Sequence, residues 1–312
     1  MIWPSAHGEA GWDAALDDDR ALDAGVSAVL ARHGLAALPR VRYDSGSLPV
    51  YAVGADHVLK VFPPYEHEHA SIEARVLAAV QDALPIATPR LLAADTHEGW
   101  PCILMSQLRG RRLVDAWPAL SAAARDRLAD TLGHALAALH AIDTAPLADL
   151  PPRWDAFVAE QVATAVDRQS KRGLDAYWVD QIDEFLVRWH PPPAPRHALL
   201  HTEIMREHLM VDAGGRATGL FDFEPAMLGA PEYEFASVGI FFACGDARVL
   251  GRTLLAYGYA PHQLDEALQC RLMAYTLLHR YSHLRWYLER IRAGDAKTLE
   301  QLATRWWPLH ER

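Results

Sequence analysis

Acidic and imidazole side chains gather on either side of one short segment near residue 210. Glu203 and His208 precede it, and Asp222 follows it. Residues 209–221 have the pattern of a strand, a Gly-Gly turn and a second strand. Because the open ends of an antiparallel hairpin meet, we expect His208 and Asp222 to be neighbours in space. Two carboxylates and an imidazole at the mouth of a hairpin can bind a divalent cation and accept a proton, an arrangement suited to phosphoryl transfer.

The elements before this hairpin predict a small β-rich region. A helix with an acidic start is expected over residues 15–34, and a second helix over residues 67–81. Short β-branched or aromatic runs predict strands at residues 41–44, 50–53, 57–62, 90–94 and 102–106.

After residue 108 the pattern becomes helical. Ser121 is a favourable N-cap for a helix with a leucine stripe, and further helices are expected over residues 154–169 and 174–190. Residues 233–308 are rich in Leu, Trp and Tyr and predict more helices. On one of these, His279 and His283 are expected to share a face.

Composition limits the possible partners. The chain has 312 residues, of which 51% are hydrophobic, so it can build a sizeable core. Its formal charge of -10 argues against nucleic acid as the main partner, because phosphate backbones bind basic surfaces. The sequence shows no apolar run long enough for a membrane span and no basic, apolar leader, so no membrane partner is expected. The three scattered cysteines, Cys102, Cys244 and Cys270, suit a reducing cytoplasm.

Three motifs resemble those of the aminoglycoside phosphotransferase family, a group of kinase-like enzymes that act on small molecules. The family's catalytic loop is usually H-G-D-x-x-x-x-N, its metal motif is D-[FWY]-[DE], and G-D-P-x-x-D-L-A follows. In this chain the loop is H-T-E-x-x-x-x-H over residues 201–208, the metal motif is Asp222-Phe223-Glu224, and Glu234 stands for the later Asp. The resemblance covers about residues 40–240 and implies an α+β, two-lobed, protein-kinase-like fold. Residues 1–107 would form a small antiparallel-sheet N-lobe that binds nucleotide, and residues 108–312 a large helical C-lobe with the substrate site.

The resemblance also implies roles around the hairpin. Asp222 and His208 would hold Mg²⁺, and Glu203 would accept the proton of the substrate hydroxyl or orient it. Because imidazole at His208 is a less usual ligand for Mg²⁺, Mn²⁺ is an alternative metal. Glu234 would brace the loop, and His201 would pack beneath it. Arg206 and Glu207 are expected to form an exposed pair or, because they lie inside the loop, to contact phosphate or substrate.

For the N-lobe, the resemblance implies a nucleotide site. Lys60, paired with Glu73 on the next helix, would reach the phosphates of ATP or GTP. The predicted phosphate-covering loop contains Ser45, Gly46 and Ser47. The predicted adenine pocket contains Val58, which shares a strand face with Lys60, and Met105, Ser106 and Leu108 of the connecting strand.

The implied reaction is transfer of a γ-phosphoryl group to a hydroxyl of a small polar, cationic molecule. An aminoglycoside or aminocyclitol antibiotic resembling hygromycin is the leading acceptor, with antibiotic resistance as the outcome. Choline-like amines and amino sugars are alternative acceptors, and a nucleotide-binding pseudokinase is an alternative function. We expect a monomer or weak dimer. A polycation would be attracted by the acidic residues of the helical lobe, among them Asp180, Asp183, Glu184 and Glu232.

Overall fold

The chain forms two compact units. The computed structural model describes residues 3–4, 12, 19–44 and 46–309. The first unit comprises the chain up to Gln81, together with Ala87–Arg109 and Phe221–Pro225. The second unit comprises Asp82–Ile86, Gly110–Leu220 and the chain from Ala226 onward.

The first unit contains one antiparallel sheet of five strands in the order β1-β2-β3-β5-β4. The strands are β1 (Arg40–Arg42), β2 (Val50–Val53), β3 (His57–Val61), β4 (Leu91–His97) and β5 (Trp100–Ser106). Alternation along β3 directs Leu59 and Val61 into an apolar cluster with the helix α1 (Asp19–Arg32). Lys60 lies on the other face, toward the helix α2 (His67–Val80), where its ammonium contacts Glu73.

The second unit is mainly helical. Its α-helices are α3 (Leu113–Ala116), α4 (Ala122–Leu139), α5 (Trp154–Lys171), α6 (Ala176–Val179), α7 (Ile182–Trp189), α8 (Glu234–Ser237), α9 (Ala247–Tyr257), α10 (Glu266–Leu278), α11 (Leu284–Arg290) and α12 (Leu299–Trp306). Its strands are β6 (Arg111–Arg112), β7 (Ala198–Leu200), β8 (Leu209–Val211), β9 (Ala217–Leu220) and β10 (Met227–Gly229). A single π-helical segment, Val238–Ala243, continues α8 within the described part of the chain.

The hairpin predicted at residues 209–221 is present as β8 and β9, with Leu209 opposite Leu220. Its turn is closed by Asp212, whose Oδ1 accepts hydrogen bonds from the amides of Gly214 and Arg216. Arg111 and Arg112 add β6 to the other edge of β8. The expectation that the two hairpin ends meet is therefore confirmed at the Leu209–Leu220 pair.

Helices α4 and α9 pack closely against each other. Asp126 and Asp130 of α4 form ion pairs with Arg248 and Arg252 of α9. Gly133 permits this approach, because a Cβ at that position would lie 2.4 Å from the carbonyl oxygen of Thr253. The two helices are therefore joined by ion pairs and by close backbone packing within the second unit.

Most predicted elements are confirmed, but one helix is divided, one shared helix is wrong, one strand pair was not predicted, and one helix start cannot be compared. The expected start of α1 at residues 15–18 lies outside the described residues. The helix predicted over 174–190 is divided at Asp180 and Gln181 into α6 and α7. The expected shared helix of His279 and His283 is wrong, because α10 ends at Leu278 and α11 begins at Leu284. The antiparallel pair β7–β10 was not expected.

No helix in the described ranges has both the length and the apolar composition needed to cross a membrane. The three cysteines are free. Cys244 directly follows the π-helical segment with φ 54° and is half-buried.

Candidate functional site

A buried lysine surrounded by three carboxylates is the centre of the first unit. Lys60 is 5% exposed, and its Nζ lies 2.9 Å from Glu73, 2.7 Å from Asp222 and 2.5 Å from Glu224. β3 supplies the lysine, α2 supplies Glu73, and the other two carboxylates come from the residues after β9. The pairing of Lys60 with Glu73 is therefore present, and the structure also joins this pair to the D-F-E motif.

Charge in this cluster is unevenly balanced, since one ammonium faces three carboxylates. Burial alone lowers the pKa of Lys60, but the carboxylates, Asp222 foremost, raise it well above its ordinary value. Burial raises the pKa of Glu73 to about 7, because nearby Asp222 and Glu224 add to the effect and Lys60 only partly offsets it. The lysine therefore stays charged, while the surplus negative charge falls on the carboxylates.

That surplus suits a divalent cation bound with a nucleotide. When all three carboxylates are ionised, the cluster has two excess negative charges, and Asp222 and Glu224 offer the oxygen ligands that Mg²⁺ prefers. Across residues 19–44 and 46–309, no group of three or more His, Cys, Asp or Glu side chains is arranged as a metal cage. Mg²⁺ commonly takes one or two carboxylates and completes its shell with phosphate oxygens and water. The residues present therefore fit a metal that arrives with phosphates.

The predicted adenine residues lie side by side on the sheet. Val58 of β3 is directly opposite Met105 of β5. The backbone N–H of Ser106 donates to the carbonyl of Arg90 at 2.9 Å, so contact from Ser106 to a base would use its carbonyl group. Leu108 follows the strand and is half-buried.

The predicted phosphate-covering loop lies between β1 and β2. Gly46 has φ +120°, a conformation that favours glycine, and Ser47 is exposed. Ser45 lies outside the described residues.

In the second unit, the catalytic-loop motif is braced by Glu234. Its carboxylate accepts the amide hydrogens of His201, at 2.7 Å, and Thr202, at 2.8 Å. The buried His140 approaches the same carboxylate at 3.5 Å and contacts the Tyr257 hydroxyl at 2.8 Å. The expected bracing role of Glu234 is confirmed by these contacts.

Thr202 has an unusual backbone conformation. Its φ is +70°, in the left-handed region, where residues with a Cβ are disfavoured by about 1–2 kcal/mol. Glycine stands at this position in the H-G-D pattern, and glycine has no such penalty. Asp222 is also left-handed, with φ +74°. Strain of this kind persists only where surrounding contacts determine the backbone.

Glu203 and His208 are joined through the backbone of the loop. The Nδ1 of His208 lies 2.9 Å from the carbonyl of Glu203. Because a carbonyl can only accept, Nδ1 carries a proton, and in the neutral imidazole the lone pair is then on Nε2. This tautomer is compatible with a ligand role for Nε2. The amide of Glu203 donates to Nδ1 of the buried His201 at 3.3 Å, which confirms the structural role expected for that imidazole.

The expectation that Arg206 and Glu207 form an exposed pair is wrong. Arg206 donates from Nε to the carbonyl of Phe242 at 2.8 Å, and its guanidinium lies 3.6 Å from the ring centroid of Trp117. Glu207 instead faces Arg290 at 3.8 Å. Arg206 is therefore an anchor of the loop, a role whose distant partners are not visible in local sequence.

The acidic residues proposed to attract a polycation differ in their surroundings. Glu232 is engaged by Arg271 through two hydrogen bonds of 2.9 and 3.0 Å, so its charge is already paired. Glu184 is 3.8 Å from Arg188, while Asp180 and Asp183 are exposed. Only part of the expected acidic set therefore retains an unneutralised, accessible charge.

His279 was not expected in the site. Its imidazole is buried and lies 3.0 Å from the carbonyl oxygen of Thr202, beside Glu203. No local motif marks it, since it follows the end of α10 far along the chain.

Comparison with known proteins gives a consistent result. A model of the phosphotransferase enzyme family matches residues 40–267, a range that includes Lys60, Glu73, Glu203, His208 and Asp222 but not His279. A sequence comparison with the curated proteins gives no match.

Solved structures with the same fold include phosphotransferases with different acceptors. APH(2")-IIia in complex with GDP and kanamycin has a TM-score of 0.70 at 16% identity, over 90% of this chain and 98% of that one. ADP-bound aminoglycoside phosphotransferase APH(2'')-Ib has a TM-score of 0.63 at 16% identity, over 90% and 99%. Macrolide 2'-phosphotransferase MphH from Brachybacterium faecium has a TM-score of 0.62 at 22% identity, over 92% and 99%. These likenesses confirm the expected α+β fold.

Proposed function

Because the chain belongs to the phosphotransferase enzyme family, we propose that it transfers the γ-phosphoryl group of ATP or GTP to a hydroxyl of a small polar molecule. The observation that carries this proposal is the buried Lys60 cluster. Lysine is a phosphate ligand, and its contacts with Glu73 and Asp222 hold it in place for that task. The first unit would bind the nucleotide and the second the acceptor.

We assign roles by charge and chemistry. Lys60 binds nucleotide phosphates, Asp222 and His208 hold a divalent cation, and Glu203 orients the acceptor hydroxyl or takes its proton. Mg²⁺ or Mn²⁺, when bound, neutralises the charge that develops on the transferred group. Glu203 keeps the carboxylate that such a proton acceptor needs.

The acceptor we favour is an aminoglycoside or aminocyclitol such as hygromycin, with resistance to the antibiotic as the outcome. Support comes from two phosphotransferases of the same fold, one in complex with GDP and kanamycin and the other a macrolide 2'-phosphotransferase. The exposed carboxylates Asp180 and Asp183 are compatible with a cationic acceptor. Three free cysteines are compatible with action in the cytoplasm. We expect the protein to act as a monomer or weak dimer.

Release of nucleoside diphosphate by the purified protein tests the proposal. Reactions would contain ATP or GTP with Mg²⁺ or Mn²⁺, and hygromycin, kanamycin, a macrolide or choline as acceptor. We expect release that depends on one acceptor and falls at least 100-fold in Asp222→Asn. Asp167→Asn is the matched control, because this exposed carboxylate only pairs with Lys171 on α5.

Each result decides between functions. Release with choline alone would transfer the assignment to a metabolite kinase. Nucleotide binding without release for any acceptor would favour a pseudokinase. A chain that binds no nucleotide would overturn the roles of Lys60 and Asp222.

A further inference from the structure

We propose that His279 is a positioning residue that holds the Thr202 carbonyl, and through it Glu203, in the geometry needed for phosphoryl transfer. The effect of His279 on catalysis rests on the proposed function. The hydrogen bonds and packing that support the inference do not depend on that function, because they all lie within the second unit.

The hydrogen-bond direction at His279 follows from its two neighbours. The backbone N–H of Tyr281 donates to Nδ1 at 3.3 Å, so Nδ1 is an acceptor and holds no proton. The proton is then on Nε2, which lies 3.0 Å from the carbonyl oxygen of Thr202. The imidazole therefore donates to Thr202 as a neutral group.

Packing fixes the imidazole plane. The ring is 4% exposed and stacks on Tyr233 with a centroid separation of 5.1 Å and an interplanar angle of 14°. Tyr233 is fully buried, and its hydroxyl accepts the amide hydrogen of Arg280 at 3.0 Å. A ring held on its face and at both nitrogens has a single orientation. It can therefore impose its own position on the carbonyl it binds.

Thr202 needs such support because of its conformation. Its amide is held by Glu234 at 2.8 Å and its carbonyl by His279 at 3.0 Å, so both polar groups of this left-handed residue are fixed. A β-branched residue at φ +70° would otherwise relax toward a negative φ. Rotation there would reorient the next peptide and carry Glu203 with it.

The position of His279 explains why the chain interrupts a helix there. α10 ends at Leu278, and His279 has extended angles, φ -62° and ψ 141°. The following segment is held by Gln169 of α5, which donates to Ser282 at 2.7 Å and accepts from the amide of Leu284 at 2.9 Å. The imidazole that donates to Thr202 therefore lies next to a segment whose position is fixed by hydrogen bonds to Gln169.

The experiment compares three variants of the full chain. His279→Ala removes the donor. His279→Gln keeps a neutral amide N–H near the place of Nε2. Met273→Ala is the matched control for lost packing, because Met273 is fully buried on α10, the helix that His279 directly follows.

Two readouts separate positioning from general destabilisation. Hydrogen exchange of the Thr202 and Glu203 amides should accelerate at least tenfold in His279→Ala, with little change in His279→Gln or Met273→Ala. With an acceptor that supports turnover, kcat should fall 10- to 100-fold in His279→Ala at unchanged KM for the nucleotide. In His279→Gln, kcat should stay within about threefold of the wild-type value.

A rescue variant tests the conformational part. Thr202→Gly removes the penalty for a left-handed backbone, so His279→Ala should accelerate exchange at least threefold less in that background. Equal acceleration in both backgrounds would overturn the link to the Thr202 backbone.

The remaining outcomes are also decisive. Wild-type exchange rates in His279→Ala, the same acceleration in Met273→Ala, or faster exchange with an unchanged kcat would each overturn the proposal. A wild-type chain that phosphorylates no acceptor would count against the proposed function. The exchange rates would still decide whether His279 holds the loop.

Discussion

At the scale of single residues, two of the three departures from the family's loop pattern, Glu203 and Thr202, have different structural meanings. Glu203 keeps a carboxylate where the pattern has Asp. Thr202, in contrast, places a branched side chain in a left-handed conformation that glycine would adopt without penalty. Glu234 and His279 hold the Thr202 peptide at its two ends. Where the family pattern has glycine, which adopts a left-handed backbone without penalty, this chain has Thr202, whose left-handed backbone is held by hydrogen bonds.

Replacing Glu203 with Gln tests its assigned role. We expect kcat to fall by about 10²–10⁴, the usual contribution of a positioned acid or base, while nucleotide affinity stays within twofold. Glu207→Gln is the control, since this carboxylate lies in the same loop but faces Arg290. It should change kcat by less than about threefold. A Glu203→Gln enzyme with wild-type kcat would exclude Glu203 as the proton acceptor.

At the scale of elements, the tight packing of α4 on α9 predicts that alanine substitutions at two glycines change the free energy of unfolding in opposite directions. Alanine is favoured over glycine within a helix by about 1 kcal/mol. At Gly133 of α4, however, a Cβ would lie 2.4 Å from Thr253 O and 2.8 Å from Tyr257 N. At Gly251 of α9, its nearest contact would be Leu309 O at 3.8 Å, an ordinary van der Waals distance.

Urea unfolding of the two alanine variants measures this difference. Gly133→Ala should lower the free energy of unfolding by about 1–3 kcal/mol, because backbone atoms must move apart and this outweighs the helix preference. Gly251→Ala should raise it by about 0.5–1 kcal/mol. A stabilised Gly133→Ala would show that the helices separate easily.

The elements also show what sequence could and could not predict. The hairpin β8–β9 and the cap at Ser121 were predicted because their signals are local: a Gly-Gly turn, and a hydroxyl that accepts from Ala124 N. The pair β7–β10 joins residues far apart in the chain, so neither strand shows its partner locally. The end of α10 at Leu278 was missed because the contact of His279 with Thr202 is also long-range.

In the candidate site, too, roles with local sequence signals were predicted and roles that depend on long-range contacts were not. Lys60 and Glu73 were recognised from a strand and a helix with motif-like spacing, and the structure joins them at 2.9 Å. The roles of Arg206 and His279 depend on partners at Phe242 and Thr202 that only the folded chain brings close. Local sequence patterns thus identified Lys60 and Glu73, whose side chains are candidates for the chemistry. They did not identify the supporting roles of Arg206 and His279.

At the scale of the whole molecule, stability should respond to acid through His279. Burial lowers the pKa of this imidazole to about 4, against 6.5 for an exposed one. The charged groups that act on it are Arg280, Glu234 and Arg168, from the segments packed around it. The folded state therefore binds fewer protons than the unfolded state between these two pH values.

The sign of the effect follows from this difference. The stability due to neutral His279 is complete above pH 6.5 and is lost as the pH falls toward 4, by up to about 1.4 kcal/mol per pH unit. His279→Gln cannot titrate, so its free energy of unfolding should fall less steeply over this window. Both proteins share the same 40 acidic residues, so the contribution of these residues to the pH dependence cancels when the two urea-unfolding series are subtracted. The difference that remains is due to the imidazole. Parallel curves would show that His279 titrates normally.

The three cysteines offer a way to follow the catalytic loop by fluorescence. Burial raises the pKa of Cys102 to about 12 and that of Cys270 to about 12, so at neutral pH both remain as unreactive thiols. Cys244 is only half-buried and lies two residues after Phe242, whose carbonyl holds Arg206 of the loop. A maleimide dye should therefore attach first at Cys244 without any engineered cysteine. The native chain thus contains its own labelling position, beside the segment that anchors the residues proposed to perform the reaction.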